Sequence, residues 1–209
     1  NLVRLTRLSS NQGLATALNH GLDLCDSPLV ARMDSDDISL PNRFETQITF
    51  MDQNPEVDVV GSYIVEVDAS SGSSTVRHVP VTHEDIYTFG QRRNPLSHPS
   101  VVFRRSRVIH FDGYPLFRKW QDYALWSKML VGGAKFANIP EVLVEMTAGD
   151  ALMLRRGLAY FAYELTVMKY QRAIGYLSRR DFFINVFGRF VLRASPLWLK
   201  RIVYRNMRA

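Results

Sequence analysis

The chain of 209 residues carries a single cysteine, Cys25. That excludes an intrachain disulfide and a cysteine-built metal site, and it fits a reducing compartment. No run approaches the roughly 20 apolar residues that a membrane-crossing helix needs, and no secretory leader is visible at the start. There is no glycine-rich dinucleotide fingerprint, no P-loop, no internal repeat and no low-complexity segment. What is present is ordinary globular composition, 46% hydrophobic and 22% charged. The length suffices for one sizeable core, or a core with an appendage.

Charge is unevenly spread. Residues 1–150 hold 14 Lys/Arg against 18 Asp/Glu, whereas residues 151–209 hold 12 against 2. A mildly acidic body with a strongly basic tail points to an anionic surface as partner. No reading helix or stacking platform for nucleic acid is apparent, so a membrane surface is the better reading. The chain opens at Asn1 directly in an apolar alternation (Leu2, Val3, Leu5, Leu8), which reads as the middle of a domain and raises the expectation of a missing N-terminal segment.

Periodicity predicts a strand over Leu2–Leu8, a helix from Leu14 to about Cys25, and a buried strand over Leu29–Met33. A second helix follows, with Ser39 as its cap, Pro41 near its first turn, and Phe44, Ile48 and Met51 as its inner face. Strand, helix, strand, helix predicts an α/β layered domain with a mostly parallel sheet, in which ligands gather at the C-terminal strand ends. Further along, Val57–Val67 and Thr75–Val81 read as a strand pair, Glu84–Phe89 as a short helix and Val101–Arg104 as a strand. A helix opens at Trp120-Gln121-Asp122-Tyr123, and Lys135–Ile139 and Val142–Thr147 read as two short strands. A helix is predicted over Leu152–Tyr170, with Leu158, Phe161, Leu165 and Met168 on one face. In the tail, Phe182, Phe183, Val186, Phe187, Phe190 and Val191 form an apolar face beside a stripe of Asn185, Arg189 and Arg193. Trp198, Leu199, Ile202 and Val203 then alternate with Lys200, Arg201, Arg205 and Arg208. This is the make-up of an interfacial helix, with aromatics for the acyl boundary and Arg for anionic headgroups. The competing reading is a helix docked on its own domain or on a second subunit.

Chemistry concentrates in Arg32-Met33-Asp34-Ser35-Asp36-Asp37. Three carboxylates within four residues repel one another unless a cation holds them. In extended chain, Asp34 and Asp36 would project to one side and form a half-shell for a hard divalent ion such as Mg²⁺ or Mn²⁺. A solvated capping turn is the bland alternative. An EF-hand fails, because Ser39 stands where glycine is needed and Ile38 where a ligand is needed. Asp122 falls in or just before the first turn of its helix, where the dipole favours the ionised form. It reads either as a plain cap or as a general base lining a cleft. The polar loop Arg92–Ser100, with His98, leads into a buried strand and reads either as a functional loop or as a surface loop shaped by two prolines. Arg155-Arg156 is a candidate clamp for an anionic phosphate, or a solvated basic turn.

Several blocks, taken in order, resemble the family-2 glycosyltransferases of bacterial exopolysaccharide, capsule and lipopolysaccharide synthesis. They are Asn11-x-Gly13-Leu14-x-x-Ala17-Leu18-Asn19-x-Gly21, Ala31-Arg32-Met33-Asp34-x-Asp36-Asp37 with Pro41, Arg43, Phe44 and Gln47, Asn94-Pro95-x-x-His98-Pro99-Ser100-Val101, and Gln121-Asp122-Tyr123-x-Leu125-Trp126. The resemblance spans roughly residues 1–170. It implies a GT-A (Rossmann-like) fold and a metal-dependent, inverting transfer from a UDP- or GDP-sugar to a glycan or lipid-linked acceptor. By the same resemblance, Asp36 ligates the Mg²⁺ or Mn²⁺ that bridges the diphosphate, Asp34 contacts ribose or metal, and Asp122 deprotonates the acceptor hydroxyl. His98 and Asp37 are candidate substrate contacts. The chain departs from the family pattern in three places. No Pro-x-Tyr/Phe-Asn turn opens it, Leu18 replaces a common nucleotide-binding Arg (a role that Arg32 is expected to take), and Gln121-Asp122 replaces Glu-Asp. The expected organisation is a catalytic domain over 1–150 and a basic amphipathic helical extension over 151–209. The expected location is cytoplasmic, peripheral at the inner face of the cytoplasmic membrane. A sugar nucleotidyltransferase and a non-catalytic anionic-surface module are the alternatives.

Overall fold

A computed structural model describes residues 3–68, 71–148 and 158–195. In chain order its elements are α1 (Leu14–Leu24), β1 (Leu29–Ala31), β2 (Ile38–Ser39), α2 (Arg43–Gln53), β3 (Val59–Asp68), β4 (Ser74–Arg77) and α3 (His83–Gly90). A 3-10 turn (His98–Ser100) follows, then β5 (Val102–Arg104), α4 (Arg105–His110), α5 (Gln121–Val131), β6 (Phe136–Ala148), α6 (Leu158–Ala173) and α7 (Arg179–Ala194).

Strand alternation sets the layers. Val59 lies opposite Phe103 and Phe136, and Val60 opposite Val102 and Ala137. Successive side chains leave a strand on opposite faces. One face therefore gathers Val59, Phe103 and Phe136 under Leu22 of α1, Ile86 of α3, Val108 of α4 and Trp126 of α5. The other gathers Val60, Val102 and Ala137 against Met51 of α2. The result is helices on both faces of one sheet, as the strand–helix alternation requires.

The strand order is β1-β5-β3-β6-β2, with β4 on β3. Among the described residues only β3 and β6 pair in parallel, and the other four pairings are antiparallel. The expectation of a mostly parallel sheet is thus met only in part, since three strands run one way and β2, β4 and β5 the other. β1, β3 and β6 run the same way, but the short antiparallel β5 is threaded between β1 and β3, and β2 caps the far edge.

Four other local expectations change. Residues 3–8 form no strand, and Val3 and Leu5 are 83% and 93% exposed. An isolated extended segment has no neighbour for its backbone groups, and alternation alone cannot supply one. The two short strands after Lys135 are one strand, β6, whose register with β3 skips Pro140 and Glu141. Proline has no N–H for the ladder, so the strand bulges there and continues. Ser39 caps no helix, because it pairs with Val144 in β2. The buried face of α2 is Arg43, Gln47 and Met51, whereas Phe44 and Ile48 are exposed.

At the C-terminal side, α6 turns Glu164, Val167, Met168 and Gln171 inward. Val167 packs on Tyr123 and Ala124 of α5, and Gln171 Nε2 donates to Ser127 Oγ at 2.8 Å. The buried Glu164 carboxylate accepts from Arg193 Nε at 2.9 Å and Nη2 at 2.6 Å, and from Arg189 Nη1 at 3.2 Å. The stripe expected to meet lipid headgroups, Arg189 with Arg193, therefore faces the protein interior, and α7 docks through its polar side. A buried carboxylate must be paired, which outweighs leaving an apolar face in water. Arg155, Arg156 and the segment from Trp198 to Arg208 lie outside the described residues. Replacing Glu164 by Ala strands two guanidinium groups, so denaturant unfolding is expected to show a loss of roughly 3–5 kcal/mol. A loss below about 1 kcal/mol, the level of an exposed pair, would show that the cluster does not hold α7.

Candidate active site

The acidic stretch follows β1 directly. Because β1 and β5 are antiparallel, the end of β1 lies beside the start of β5, with Ala31 opposite Val102. The pairing continues one step, with Arg32 N donating to Val101 O at 3.0 Å. The carboxylates and the His98–Ser100 turn are thereby placed at the same end of the sheet. Asp34–Asp37 forms a turn, closed by Asp37 N donating to Asp34 O at 3.4 Å, rather than the extended chain assumed above. The period-two reason for grouping Asp34 with Asp36 therefore does not apply. Within the turn both charges act on Asp37, and Thr147 Oγ1 of β6 donates to Asp36 O at 3.1 Å.

Each carboxylate has a different environment. The buried Arg32 guanidinium forks onto Asp34, with Nη1 donating to Oδ2 at 2.6 Å and Nη2 to Oδ1. Asp37 is half-buried, and burial raises its carboxyl above the usual value, with the charges of Asp34 and Asp36 adding to the rise. Its Oδ2 has no hydrogen-bond partner. Asp36 is exposed. The set suits a hard divalent cation: oxygen donors, one of them open to solvent and one unpartnered. No group of three or more His, Cys, Asp or Glu converges to hold a metal among the described residues. The protein would therefore supply only part of an ion's shell, leaving positions for phosphate oxygens and water.

Beneath the turn lies Arg43, fully buried on α2. Its Nη2 donates to Arg32 O at 2.8 Å and its Nε to Gln47 Oε1 at 3.0 Å, while Gln47 Nε2 donates to Ser100 O at 2.7 Å. This brace ties the end of β1 to the His98 loop. Burial lowers the Arg43 pKa to about 10, with the neighbouring Arg32 charge contributing and Asp37 opposing, so it stays charged at neutral pH. The i, i+4 spacing puts Arg43 and Gln47 on one side of α2, and the backbone carbonyls they meet turn that side inward.

The His98 loop is a floor, not a surface loop. Residues 95–100 are buried. Ser62 N of β3 donates to Ser100 Oγ at 3.1 Å, and Asn138 Nδ2 of β6 donates to Pro80 O at 2.6 Å and Pro95 O at 3.2 Å. Gly61 is required beside Asn138, because a Cβ there would collide with its Oδ1. His98 Nε2 meets Tyr114 Oη at 3.1 Å, and the ring packs on Tyr114 and Trp126. Tyr114 is held in turn by Asn19 of α1, whose Oδ1 accepts from Tyr114 N at 2.7 Å and whose Nδ2 donates to Tyr114 O at 2.9 Å. Leu18, one residue earlier, packs against the core, which explains its apolar identity.

Asp122 sits half-buried in the first turn of α5. Trp120 before it adopts a left-handed conformation, φ 67°, unusual for a non-glycine residue. Asn94 Nδ2 donates to Asp122 Oδ2 at 2.7 Å, a partner the sequence reading missed although Asn94 belongs to a quoted block. Burial is the main cause that lowers His98 to about 4. The charges of Asp122, Arg32 and Asp34 act on it as well, so Asp122 and the Arg32–Asp34 pair both lie within electrostatic reach of one buried imidazole. His98 is therefore neutral at pH 7. Its folded pKa lies below the unfolded value of 6.5, so the unfolded chain binds more protons between them. Its contribution to stability is full above about 6.5 and is lost as pH falls toward about 4. In urea melts at pH 7 and pH 4.5, His98→Asn is expected to remove on the order of 2–3 kcal/mol of the pH-dependent loss. Equal pH dependence in the two chains would show that His98 is not buried neutral.

A family model described as Glycosyl transferase family 2 matches residues 1–114. The amylovoran biosynthesis glycosyltransferase AmsE of Erwinia amylovora is 36% identical over 205 residues, covering 96% of this chain and 76% of its own length. The UDP-Gal:alpha-D-GlcNAc-diphosphoundecaprenol beta-1,3-galactosyltransferase of Escherichia coli is 33% identical over 201 residues, covering 96% and 73%. Among solved structures, S. aureus TarS in complex with UDP aligns at a TM-score of 0.59 and 16% identity, over 80% of this chain and 46% of that one. The mannosyltransferase PcManGT of Pyrobaculum calidifontis, in complex with GDP-Man and Mn2+, aligns at 0.53 and 13%, over 95% and 60%. The chain thus spans about three quarters of these curated relatives and about half of the TarS chain. The structural likenesses show the fold, that of GT-A glycosyltransferases. With the family match across more than half of its length and relatives above 30% identity along nearly all of it, the chain belongs to glycosyltransferase family 2.

Proposed function

We propose that the chain transfers a sugar, with inversion, from a UDP- or GDP-sugar to a hydroxyl of a glycan or lipid-linked acceptor in bacterial polysaccharide biosynthesis. The observation that carries this reading is the placement of Asp122 and the Arg32–Asp34 pair around the same buried His98–Tyr114 floor. Asp36, with Asp34 beside it, would hold Mg²⁺ or Mn²⁺, which when bound supplies charge stabilisation to the departing nucleoside diphosphate. Arg32 keeps Asp34 oriented and reduces repulsion within the turn. Asp122 accepts the proton of the attacking acceptor hydroxyl, and Asn94 holds its carboxylate in the accepting orientation. His98, neutral and enclosed, shapes the floor against which donor and acceptor meet, with Asp37 at its edge. Arg155 and Arg156 are assigned the role of closing over the donor phosphates.

The complexes of the structural neighbours with UDP, UDP-GlcNAc and GDP-Man support a nucleotide-sugar donor. The diphosphoundecaprenol acceptor in the name of the E. coli relative supports a lipid-linked acceptor, hence work at the inner face of the cytoplasmic membrane. No helix of the described residues is long and apolar enough to cross a membrane, and the proposed association is peripheral.

Asp122→Asn is expected to lower kcat by about 10²–10⁴-fold while leaving donor affinity unchanged. Near-normal turnover in that variant removes Asp122 from the role of base. Titration calorimetry with UDP and Mn²⁺ is expected to show binding that EDTA abolishes in the unaltered chain and that Asp36→Asn weakens at least tenfold. Binding indifferent to EDTA and to that substitution would refute the metal assignment.

A further inference from the structure

An amphipathic helix normally buries its apolar side, and α7 does the reverse. Phe183, Ile184, Phe187, Phe190 and Val191 are exposed, with Phe183 at 68% and Phe187 at 71%. Phe183 lies four residues before Phe187, and Phe190 and Val191 lie three and four after it, which sets all four along one side of the helix. The orientation is locked from beneath. Arg189 and Arg193 are held by Glu164, Asn185 Nδ2 donates to Gln91 O at 2.7 Å, and Arg189 Nη2 donates to Arg92 O at 3.1 Å. Rotating α7 to hide its aromatics would unpair a buried carboxylate.

The charge around this ridge is of one sign. After residue 150 the sequence has two carboxylates, Glu164 and Asp181. Both are used internally, Asp181 by Arg92 Nη2 at 2.6 Å and by Ser178 Oγ at 2.5 Å. Arg179 and Arg180 are exposed in the first turn of α7, where the helix dipole disfavours cations, so helix stability does not account for them. Residues 196–209, which continue from the end of α7, add Lys200, Arg201, Arg205 and Arg208 and no acid. A twofold pairing of this face with a second copy would leave the exposed Arg179 and Arg180 without counter-charge, whereas an anionic lipid surface neutralises them.

Resting on the membrane-surface reading above, we infer that α7 is the element that seats the chain on an anionic bilayer. Its Phe183–Phe187 ridge enters the acyl boundary, and its flanking cations meet the headgroups. The same helix grips the backbone of Gln91 and Arg92, two residues from Asn94, the partner of Asp122. Seating α7 therefore also sets the height of the proposed base above the lipid, which suits an acceptor whose reacting sugar lies close to the bilayer.

The test is partition of the full chain onto vesicles of phosphatidylglycerol and phosphatidylcholine in equal parts, compared with phosphatidylcholine alone. The Phe183→Ser/Phe187→Ser chain is expected to lose about tenfold or more of its partition onto the anionic vesicles, with unchanged thermal unfolding and unchanged turnover of a water-soluble acceptor. A bimane on Phe187→Cys in a Cys25→Ser chain provides a second readout and is expected to be quenched by brominated lipids. If the unaltered chain binds and the double variant binds equally, without bimane quenching, α7 is not the seat and another segment makes the membrane contact. If the unaltered chain does not bind anionic vesicles, the membrane reading itself falls. A concentration-dependent dimer abolished by the double substitution, without vesicle binding, would make the ridge a self-interface and overturn the inference.

Discussion

Three carboxylates in four residues can occupy one turn only if cations divide the repulsion among them, and the site is arranged around that requirement. Arg32 takes Asp34 in a two-point fork. Arg43, buried below, gains from the charge of Asp37. Asp36 is left facing solvent. The result is a turn with one acid neutralised, one half-buried and held above its usual pKa, and one open. Arg43 also does geometric work. The buried guanidinium directs Nη2 to Arg32 O and Nε to the Gln47 side chain that reaches Ser100 O, while its Nη1 has no hydrogen-bond partner. The group that offsets the acids therefore also fixes the distance between the acidic turn and the His98 loop.

The second determinant is the intercalated strand β5. Because it runs antiparallel between β1 and β3, the loop entering it must sit beside the loop leaving β1. A purely parallel arrangement would place a strand's entry at the opposite end of the sheet. His98 thus reaches the carboxylate end by topology, and Tyr114, clamped by Asn19, closes over it. Asp122 arrives by a separate route, at the start of α5 after the left-handed Trp120, whose ring lies against Tyr123 and Tyr160.

The C-terminal helices follow a related electrostatic logic with a different outcome. One buried carboxylate, Glu164, decides which side of α7 faces the protein. Once Arg189 and Arg193 are committed to it, the aromatic side can only face outward. The apolar exposure is thus a consequence of charge pairing and places the helix's largest side chains where a second phase could meet them.

Much of this was legible in the chain. The helix α1, the strands at Leu29 and Val59, α3 and the start of α5 follow from periodicity and capping, because each is governed by neighbours within a few residues. The acidic stretch and Asp122 were recognisable by residue type and order. What local pattern could not determine is which side of an element is inside. α2 offers Phe44, Ile48 and Met51 or Arg43, Gln47 and Met51 as an inner face, and the second prevails only because two backbone carbonyls from distant segments wait for its donors. The same holds for α7, where a carboxylate some 25 residues earlier makes the choice. The segment 3–8 has the alternation of a strand but no partner among the described strands, and β6 continues past Pro140 because β3 supports it on both sides of the bulge. Sequence alone determined most of the element types and the residue chemistry gathered in the candidate site, since both rest on short-range contacts and side-chain chemistry. Tertiary structure decided orientation, pairing and burial, because those depend on groups brought together from far apart in the chain.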